Sequence, residues 1–557
     1  MKLKCFFLLC IFFYSITTVS ADPNFYDDID NELLIEKIIH AMSAENKIGQ
    51  VLMLGFMGDE PSEEIMKWVR DRQIGGIKIF GWNANDLSIL ATTINTMQIA
   101  AANTTFSIPL LIATDQEGGW VRHVRGDMSI TPGNMALGAA DNLYDAWKTG
   151  YFIGLELKTL GINMNFAPVV DIYLNPKADV IGPRAFSDDP VKTAMLGLSF
   201  FKGMDSTGVI STAKHFPGHG DTDKDSHGTL PQLNVTMEQL NMIDLIPYKI
   251  LISEKIPAIM VGHLAFPEIT NALEPASLSY FFNTELLQRE MSFEGLIISD
   301  DLFMYGARSD GLPLPQVCEK GLRAGLSLLL VSRNPNEHEK IWNYLISLMK
   351  IDENFVHIVN EAVRKVLRTK ISYLKTSGSV PLYPDNEQLK KNIPAQGSGD
   401  FFLQQSLRSV SLLKAKGIPL DNELKYLLAG SFSSFFYEGR ERLAKSDFHR
   451  FSYSPDSDEI QESADFILNN AHKYDYIIFN LHNVKSLYIL KKLESIKDKL
   501  IVFSVLTPVY MAEVPWVQTA IAVYGTGEDS FKAGFSVLSG DYSPDSIVPV
   551  YIEGFSY

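Results

Sequence analysis

Three histidines, His215, His219 and His227, and three aspartates, Asp221, Asp223 and Asp225, share the stretch Ser211 to Leu230, STAKHFPGHGDTDKDSHGTL. The whole chain has 11 histidines, so this stretch is a concentration of them. Imidazoles beside carboxylates give and take protons near neutral pH, which is what general acid–base chemistry requires. Pro217, Gly218 and Gly220 interrupt helix and strand alike, so the stretch reads as a loop, entered from the apolar pair Val209-Ile210 as from a buried strand. Loops carried on a rigid scaffold are where sites concentrate. The plain alternative is a solvated polar loop.

Other chargeable residues fall at the ends of apolar runs. Candidate strands are Val51 to Phe56, Gly76 to Phe80, Leu110 to Thr114, Asn163 to Val170, Val209 to Ala213, Ala258 to Val261, Leu296 to Ile298 and Ser327 to Val331. Helix-length segments separate them. Runs this apolar suit strands buried on both faces, and eight of them alternating with helices predict a (β/α)8 TIM-like barrel. A doubly wound open sheet would give a similar pattern. Asp115 closes the third run, Asp171 the fourth, Lys214 and His215 the fifth, His263 the sixth, Asp300 the seventh and Arg333 the eighth. In a barrel these positions converge on one rim.

The rest of the chain divides around that unit. Residues 375–400 are polar and rich in proline and glycine, a linker or wrapping segment. Residues 401–557 repeat an α/β pattern with strand candidates Val410 to Leu413, Tyr426 to Ala429, Tyr476 to Asn480, Leu500 to Val505 and Ala520 to Tyr524, and a helix over Lys485 to Ile496, which predicts a smaller α/β sandwich domain. Residues 22–374 form the barrel. Residues 1–21 read as an export signal: Lys2 and Lys4, an apolar run from Cys5 to Tyr14, and Val19-Ser20-Ala21 before Asp22. That run is short for a membrane span, so no stable membrane insertion is expected after cleavage. Cleavage would leave Cys318 as the sole cysteine, too few for an internal disulfide. A net charge of −17 argues against nucleic-acid binding.

KHFPGHGDTDKDSHGTLPQL resembles the signature of the bacterial β-N-acetylglucosaminidases of glycoside hydrolase family 3. MSAENKIGQVLMLGF (Met42 to Phe56), IATDQEGGWV (Ile112 to Val121), NFAPVVDI (Asn165 to Ile172), IGPRAFSDDP (Ile181 to Pro190) and IISDDLFMYGA (Ile297 to Ala307) resemble the same group, in order along the first domain. The second domain resembles the family's C-terminal sandwich in general pattern. The resemblance implies retaining hydrolysis through a covalent glycosyl-enzyme, with Asp300 as nucleophile. On the residues alone Asp301 is its rival; neighbours at a strand end point in opposite directions, so one serves the site and the other caps or pairs. The resemblance assigns acid and base to His227, oriented by Asp225. It gives sugar-binding roles to Asp115, Arg184, Lys214 and His215. Four residues beyond the second glycine of DQEGG the family usually has an arginine, and here stands His123, with Arg122 and Arg125 beside it; Arg122 is taken as the substitute. Trp120 is either a sugar-stacking or a packed tryptophan.

The function implied is an exported exo-β-N-acetylglucosaminidase acting on peptidoglycan fragments or chitin-like oligosaccharides. A β-glucosidase, a phosphorylase of the same superfamily and a non-catalytic sugar-binding protein stand as alternatives. With His215 and His227 assigned, His219 alone makes no metal site, so neither metal nor cofactor is expected. The export signal makes a direct prediction: N-terminal sequencing of the mature protein is expected to begin at Asp22, and recovery of a cytoplasmic chain starting at Met1 would overturn it.

Overall fold

The computed structural model describes residues 22–226, 228–332 and 334–555, so the expected signal segment 1–21, His227 and Arg333 lie outside the described residues. Eight parallel strands answer the eight apolar runs: β1 Leu52–Gly55, β2 Gly76–Lys78, β3 Leu111–Thr114, β4 Met164–Asn165, β5 Ile210–Phe216, β6 Ala258–Val261, β7 Leu296–Ser299 and β8 Leu329–Val331. They pair in chain order, and β8 returns to β1 through Leu52–Leu329, Met53–Leu330 and Leu54–Val331. A bridge between Ile298 and Leu328 closes the ring, making a barrel and excluding the open sheet.

The period of two explains how one apolar run fills two layers. Met53, Leu111, Ala113, Met164, Phe166, Ile210, Met260, Ile298 and Leu330 point inward and pack as one cluster. Their neighbours Leu52, Leu54, Ile112, Ile259, Val261, Ile297 and Val331 point outward against the helices. The fourth strand is shorter than its run. Pro168 has no N–H to give, and beyond Asn165 the regular strand ends, leaving a bridge between Val169 and Lys214 and hydrogen bonds from the Thr212 and Lys214 N–H groups to the Ala167 and Pro168 carbonyls. The fifth is longer than expected: Lys214 and His215 lie within the strand, so the histidine-rich stretch becomes a loop only after Phe216. Two helices cover this part of the barrel, Leu143–Thr159 and Pro190–Asp205. Gly150 and Gly203 let their backbones touch. A Cβ at Gly203 would lie 1.9 Å from the Trp147 carbonyl oxygen, and one at Gly150 would lie 2.1 Å from that of Phe200.

The second domain is a six-stranded sheet: β9 Ser411–Ala415, β10 Tyr426–Gly430, β11 Ser446–Arg450, β12 Tyr476–Leu481, β13 Leu500–Ser504 and β14 Thr519–Ala522. Its order is β9-β14-β13-β12-β10-β11, with β9 alone antiparallel. Alternate residues face two helical layers: Ile477 and Phe479 join the cluster under helices Ser457–Asn470 and Val484–Lys491, while Ile478 joins that under Ser433–Arg442 and Glu528–Leu538. β11 was not foreseen because SDFHR is an edge strand with no fully buried side chain, and so carries no apolar run. The helix expected over Lys485 to Ile496 ends at Lys491 and gives way to tight turns.

Segment 375–400 wraps rather than spans. It contains the helix Asn386–Asn392, and the Ala395 N–H donates to Glu156 of the barrel domain. Arg408 grips buried Asp145 through two hydrogen bonds of 2.9 and 2.8 Å, fixing the second domain to the barrel's flank. A shared cluster also joins Met135, Tyr173 and Ile181 of the first domain to Val509, Tyr524 and Val550 of the second.

Candidate active site

The C-terminal ends of the barrel strands carry a chain of buried charges. Asp115 follows β3, and each of its oxygens meets an ammonium: Oδ1 lies 2.5 Å from Lys214 of β5, and Oδ2 lies 2.7 Å from Lys78 of β2. Glu117, two residues on, accepts a third ion pair from Lys214 at 2.6 Å and a two-pronged one from Arg184 at 2.8 Å on each prong. Arg184 approaches within 3.3 Å of Nε2 of His215, whose Nδ1 lies 2.7 Å from Asp171. The second Asp171 oxygen accepts the backbone N–H groups of His215 and His219.

The matched strings hold this array in place. Asn165, at the end of β4, clamps the Gln116 backbone with two 2.9 Å hydrogen bonds, so the turn after Asp115 is fixed from the next strand. That turn is a hairpin, Gln116–Gly118 against Val121–Arg122. Gly118 and Gly119 take φ of 91° and 59°, and a Cβ on Gly119 would press within 2.6 Å of Gly133. Arg184 sits in a single tight turn, Gly182–Arg184, whose carbonyl accepts from buried Asn134. Asp189 then caps the following helix and Pro190 opens it, so the closing DP of IGPRAFSDDP is a helix start.

Asp300 and Asp301 divide as adjacent residues must. Asp301 accepts the backbone N–H groups of Phe303 and Ser332, tying the turn after β7 to the end of β8. Asp300 accepts only the Asp301 N–H among these and borders the cavity beside His215. Burial alone would raise both carboxyls. For Asp300, His215, His263, the Asp301 N–H and Lys214 outweigh burial and hold the group below the usual carboxylate range, as the anion. For Asp301 burial wins and its carboxyl is raised. Burial also opposes the charge of Asp115, Glu117 and Asp171. Lys214 and Lys78, Arg184 and Lys214, and the His215 ring respectively win, and Asp171 is held down to about 2.

These groups line a cavity of about 400 Å³. Asp115, Glu117, Arg184, Lys214, His215 and Asp300 form its polar wall; Phe80, Trp82, Phe166, Met260 and Met304 form an apolar one. A larger cleft of about 880 Å³ between the domains holds none of the strand-end residues. The cavity therefore offers fixed donors and acceptors for a polyhydroxylated ligand, and in Asp300 an ionised carboxylate outside the Asp115–Glu117 ion-pair series.

Of the residues singled out from sequence, Asp115, Arg184, Lys214, His215 and Asp300 meet at the cavity. Arg122 does not line it: residues alternate along the hairpin, and its neighbour His123 faces Lys78 and Asp115 instead. His263 is buried behind the wall, between Ser277 and the Asp301 carbonyl. Asp225 lies exposed, its carbonyl accepting from Gly228 and Thr229. Ser226 reaches the cavity and accepts from Gly306 after β7. Trp120 stacks on Tyr453 of the second domain, ring centres 5.4 Å apart, and is half-exposed rather than a core tryptophan. Lys78, Glu117 and His123 were not foreseen as site residues. A lysine inside the apolar run GIKIF was the available signal for the first, because a charge in a buried strand needs a partner.

A family model for the glycosyl hydrolase family 3 N-terminal domain matches residues 43–369. This chain belongs to that family. Among family relatives, Beta-hexosaminidase A of Pseudoalteromonas piscicida is 32% identical over 60% of this chain, which spans 61% of that protein's length. A Beta-hexosaminidase of Tolumonas auensis is 37% identical over 51% of this chain and 83% of its own. A solved family 3 β-N-acetylglucosaminidase from a Paenibacillus species superposes with a TM-score of 0.82 at 28% identity, covering 92% of this chain and 99% of that one. The likeness to that structure takes in both domains.

Behind the histidine-rich loop, Asp244 is buried against Gly218, whose backbone leaves no room for a Cβ. Burial pushes its carboxyl up to about 7, assisted by the charges of Asp171 and Asp221. Its folded pKa thus exceeds the unfolded value of about 4. Its contribution is fully present below pH about 4 and is lost as pH rises towards 7. Asp244→Asn is expected to raise Tm at pH 8, by the equivalent of about 2–4 kcal/mol, with the difference closing near pH 4. An equal change at both pH values would contradict this reading.

Proposed function

We propose that this family 3 protein is an exported, exo-acting β-N-acetylglucosaminidase that removes terminal N-acetylglucosamine from peptidoglycan fragments or chitin-like oligosaccharides with retention of configuration. The observation that carries the reading is Asp300: a half-buried carboxylate kept ionised against the cost of desolvation, in the same cavity wall as the polar groups of Asp115, Arg184, Lys214 and His215. The relatives named β-hexosaminidase and β-N-acetylglucosaminidase support the choice of sugar.

In the first step an Asp300 oxygen attacks the anomeric carbon as the bond from that carbon to the leaving oxygen breaks, giving a glycosyl ester. The leaving oxygen takes a proton from His227, whose role rests on the Asp-Ser-His motif, with Asp225 orienting the ring. In the second step His227 takes a proton from water, the water oxygen attacks the same carbon, and Asp300 departs as the carboxylate. The groups that hold Asp300 below the usual range make it a good leaving group here. An imidazole suits the proton transfers because the rim already holds five carboxylates, Asp115, Glu117, Asp171, Asp300 and Asp301, and a further anion would raise the pKa of each. Asp115, Arg184 and Lys214 hold hydroxyls of the terminal sugar.

The wild type is expected to hydrolyse an aryl N-acetylglucosaminide far faster than the aryl glucoside, at a rate independent of phosphate. Preference for the glucoside, or a requirement for phosphate, would overturn the reading. Asp300→Asn is expected to abolish turnover. General acid catalysis contributes ~10² to 10⁴-fold, and an aryl leaving group needs it least. His227→Ala should therefore lose far more rate on the disaccharide chitobiose than on the aryl substrate; proportional losses on both would remove His227 from the role.

A further inference from the structure

The family's usual arginine beyond DQEGG is absent, yet Asp115 still has a cation on each oxygen, and the second comes from a different strand. Lys78 is 1% exposed and is carried by β2. An ammonium has three protons to donate, and all three are placed: Asp115 Oδ2 at 2.7 Å, the Ile79 carbonyl at 3.0 Å and Nδ1 of His123 at 3.2 Å. The rings of Phe80 and Phe166 lie 4.7 and 5.3 Å from its nitrogen and exclude water. Lys78 thus has no proton left for a ligand and acts through its neighbours.

His123 is the neighbour with a free direction. An ammonium only donates, so Nδ1 of His123 must accept, and the ring proton must sit on Nε2. The neutral form agrees with the environment, since burial and then Lys78 push the imidazole down to about 4, against the opposing charges of Asp115 and Glu117. The ring packs on Phe80, which stacks on Trp82, itself hydrogen-bonded to the Phe56 carbonyl, so its orientation is fixed. It is 30% exposed and lines the cavity.

We propose that Lys78 and His123 divide between them the work of the missing arginine: Lys78 is a positioning residue that supplies the charge on Asp115 and sets the tautomer of His123, and His123 binds a hydroxyl of the terminal sugar through Nε2–H. This rests on the glycosidase reading above and deepens it. One cationic residue with several donors is replaced by a buried cation and a neutral donor on separate elements. An arginine restored at position 123 would then meet Lys78 head-on, and only removal of Lys78 would make room for its charge.

The test is an exchange of charge between the two positions, read as KM and kcat on the aryl N-acetylglucosaminide, with melting temperatures alongside. K78M and H123R singly are each expected to raise KM at least tenfold, the scale of a lost charge-assisted hydrogen bond. The double variant K78M/H123R should recover most of that loss, the signature of coupled residues. H123F should raise KM by a similar factor with kcat changed only a few-fold and Tm retained, whereas H123Q, which keeps an N–H donor, should stay within about threefold of wild type. A double variant no better than the worse single one, or H123F and H123Q alike in KM, would overturn the proposal, and H123F and H123Q still decide it should K78M fail to fold. The substrate reading fails separately: a wild type that turns over only the aryl glucoside sinks it, and the same variants are then measured on the glucoside. A wild type inert on both sugars overturns both.

Discussion

Asp115 is held between two buried ammonium groups, and the polar rim is built outward from it. A carboxylate taken out of water is costly, and leaving one partner uncompensated costs about 3–5 kcal/mol more. The barrel meets this by making the pairing continuous. Lys78 joins Asp115, Asp115 joins Lys214, Lys214 joins Glu117, Glu117 joins Arg184, and Arg184 meets the His215 that Asp171 holds. No carboxylate in that series is without a cation or an N–H. The same field falls on Asp300, which keeps its charge although burial opposes it.

Such a chain demands close placement of groups that come from two strands, β2 and β5, and from the loops that follow β3 and β4. The inward layer of the barrel does the spacing. Asn165 locks the turn behind Asp115, the two glycines let the covering helices close on each other, and the second domain braces the loop that bears Arg184. That bracing runs through Ile181 and Ala185 on either side of Arg184, packed with Tyr524 and Val550. The sandwich domain thus contributes to the cavity by fixing one of its walls.

Much of the fold was legible because a strand buried on both faces has to be apolar throughout, and eight such runs between helices leave few arrangements. Its errors fall where that rule does not apply. SDFHR at β11 is an edge with no residue fully buried, and has no apolar run to read. Asn163 to Val170 looks like a long strand, but its regular part is Met164–Asn165, because Pro168 cannot donate and only single bonds to β5 follow. The rim was legible where a charged residue closes an apolar run; Lys78, Glu117 and His123 do not close one. Lys78 ends β2 but stands inside the longer apolar run GIKIF, and its partner Asp115 is distant in sequence, so spacing gives no hint of the pair. Arg122 was chosen by charge where geometry selects its neighbour, because one step along a strand reverses the face.

The central claim is that Asp300, kept anionic by the groups around it, forms the covalent bond to the sugar. Reaction with a fluorinated N-acetylglucosaminyl fluoride, which slows release of the glycosyl-enzyme, followed by peptide mapping, addresses it most directly. The account predicts one sugar per chain, attached to Asp300 and lost on prolonged incubation in water. A label on Asp301 or another carboxylate, or no covalent species during turnover of the same sugar, would contradict it.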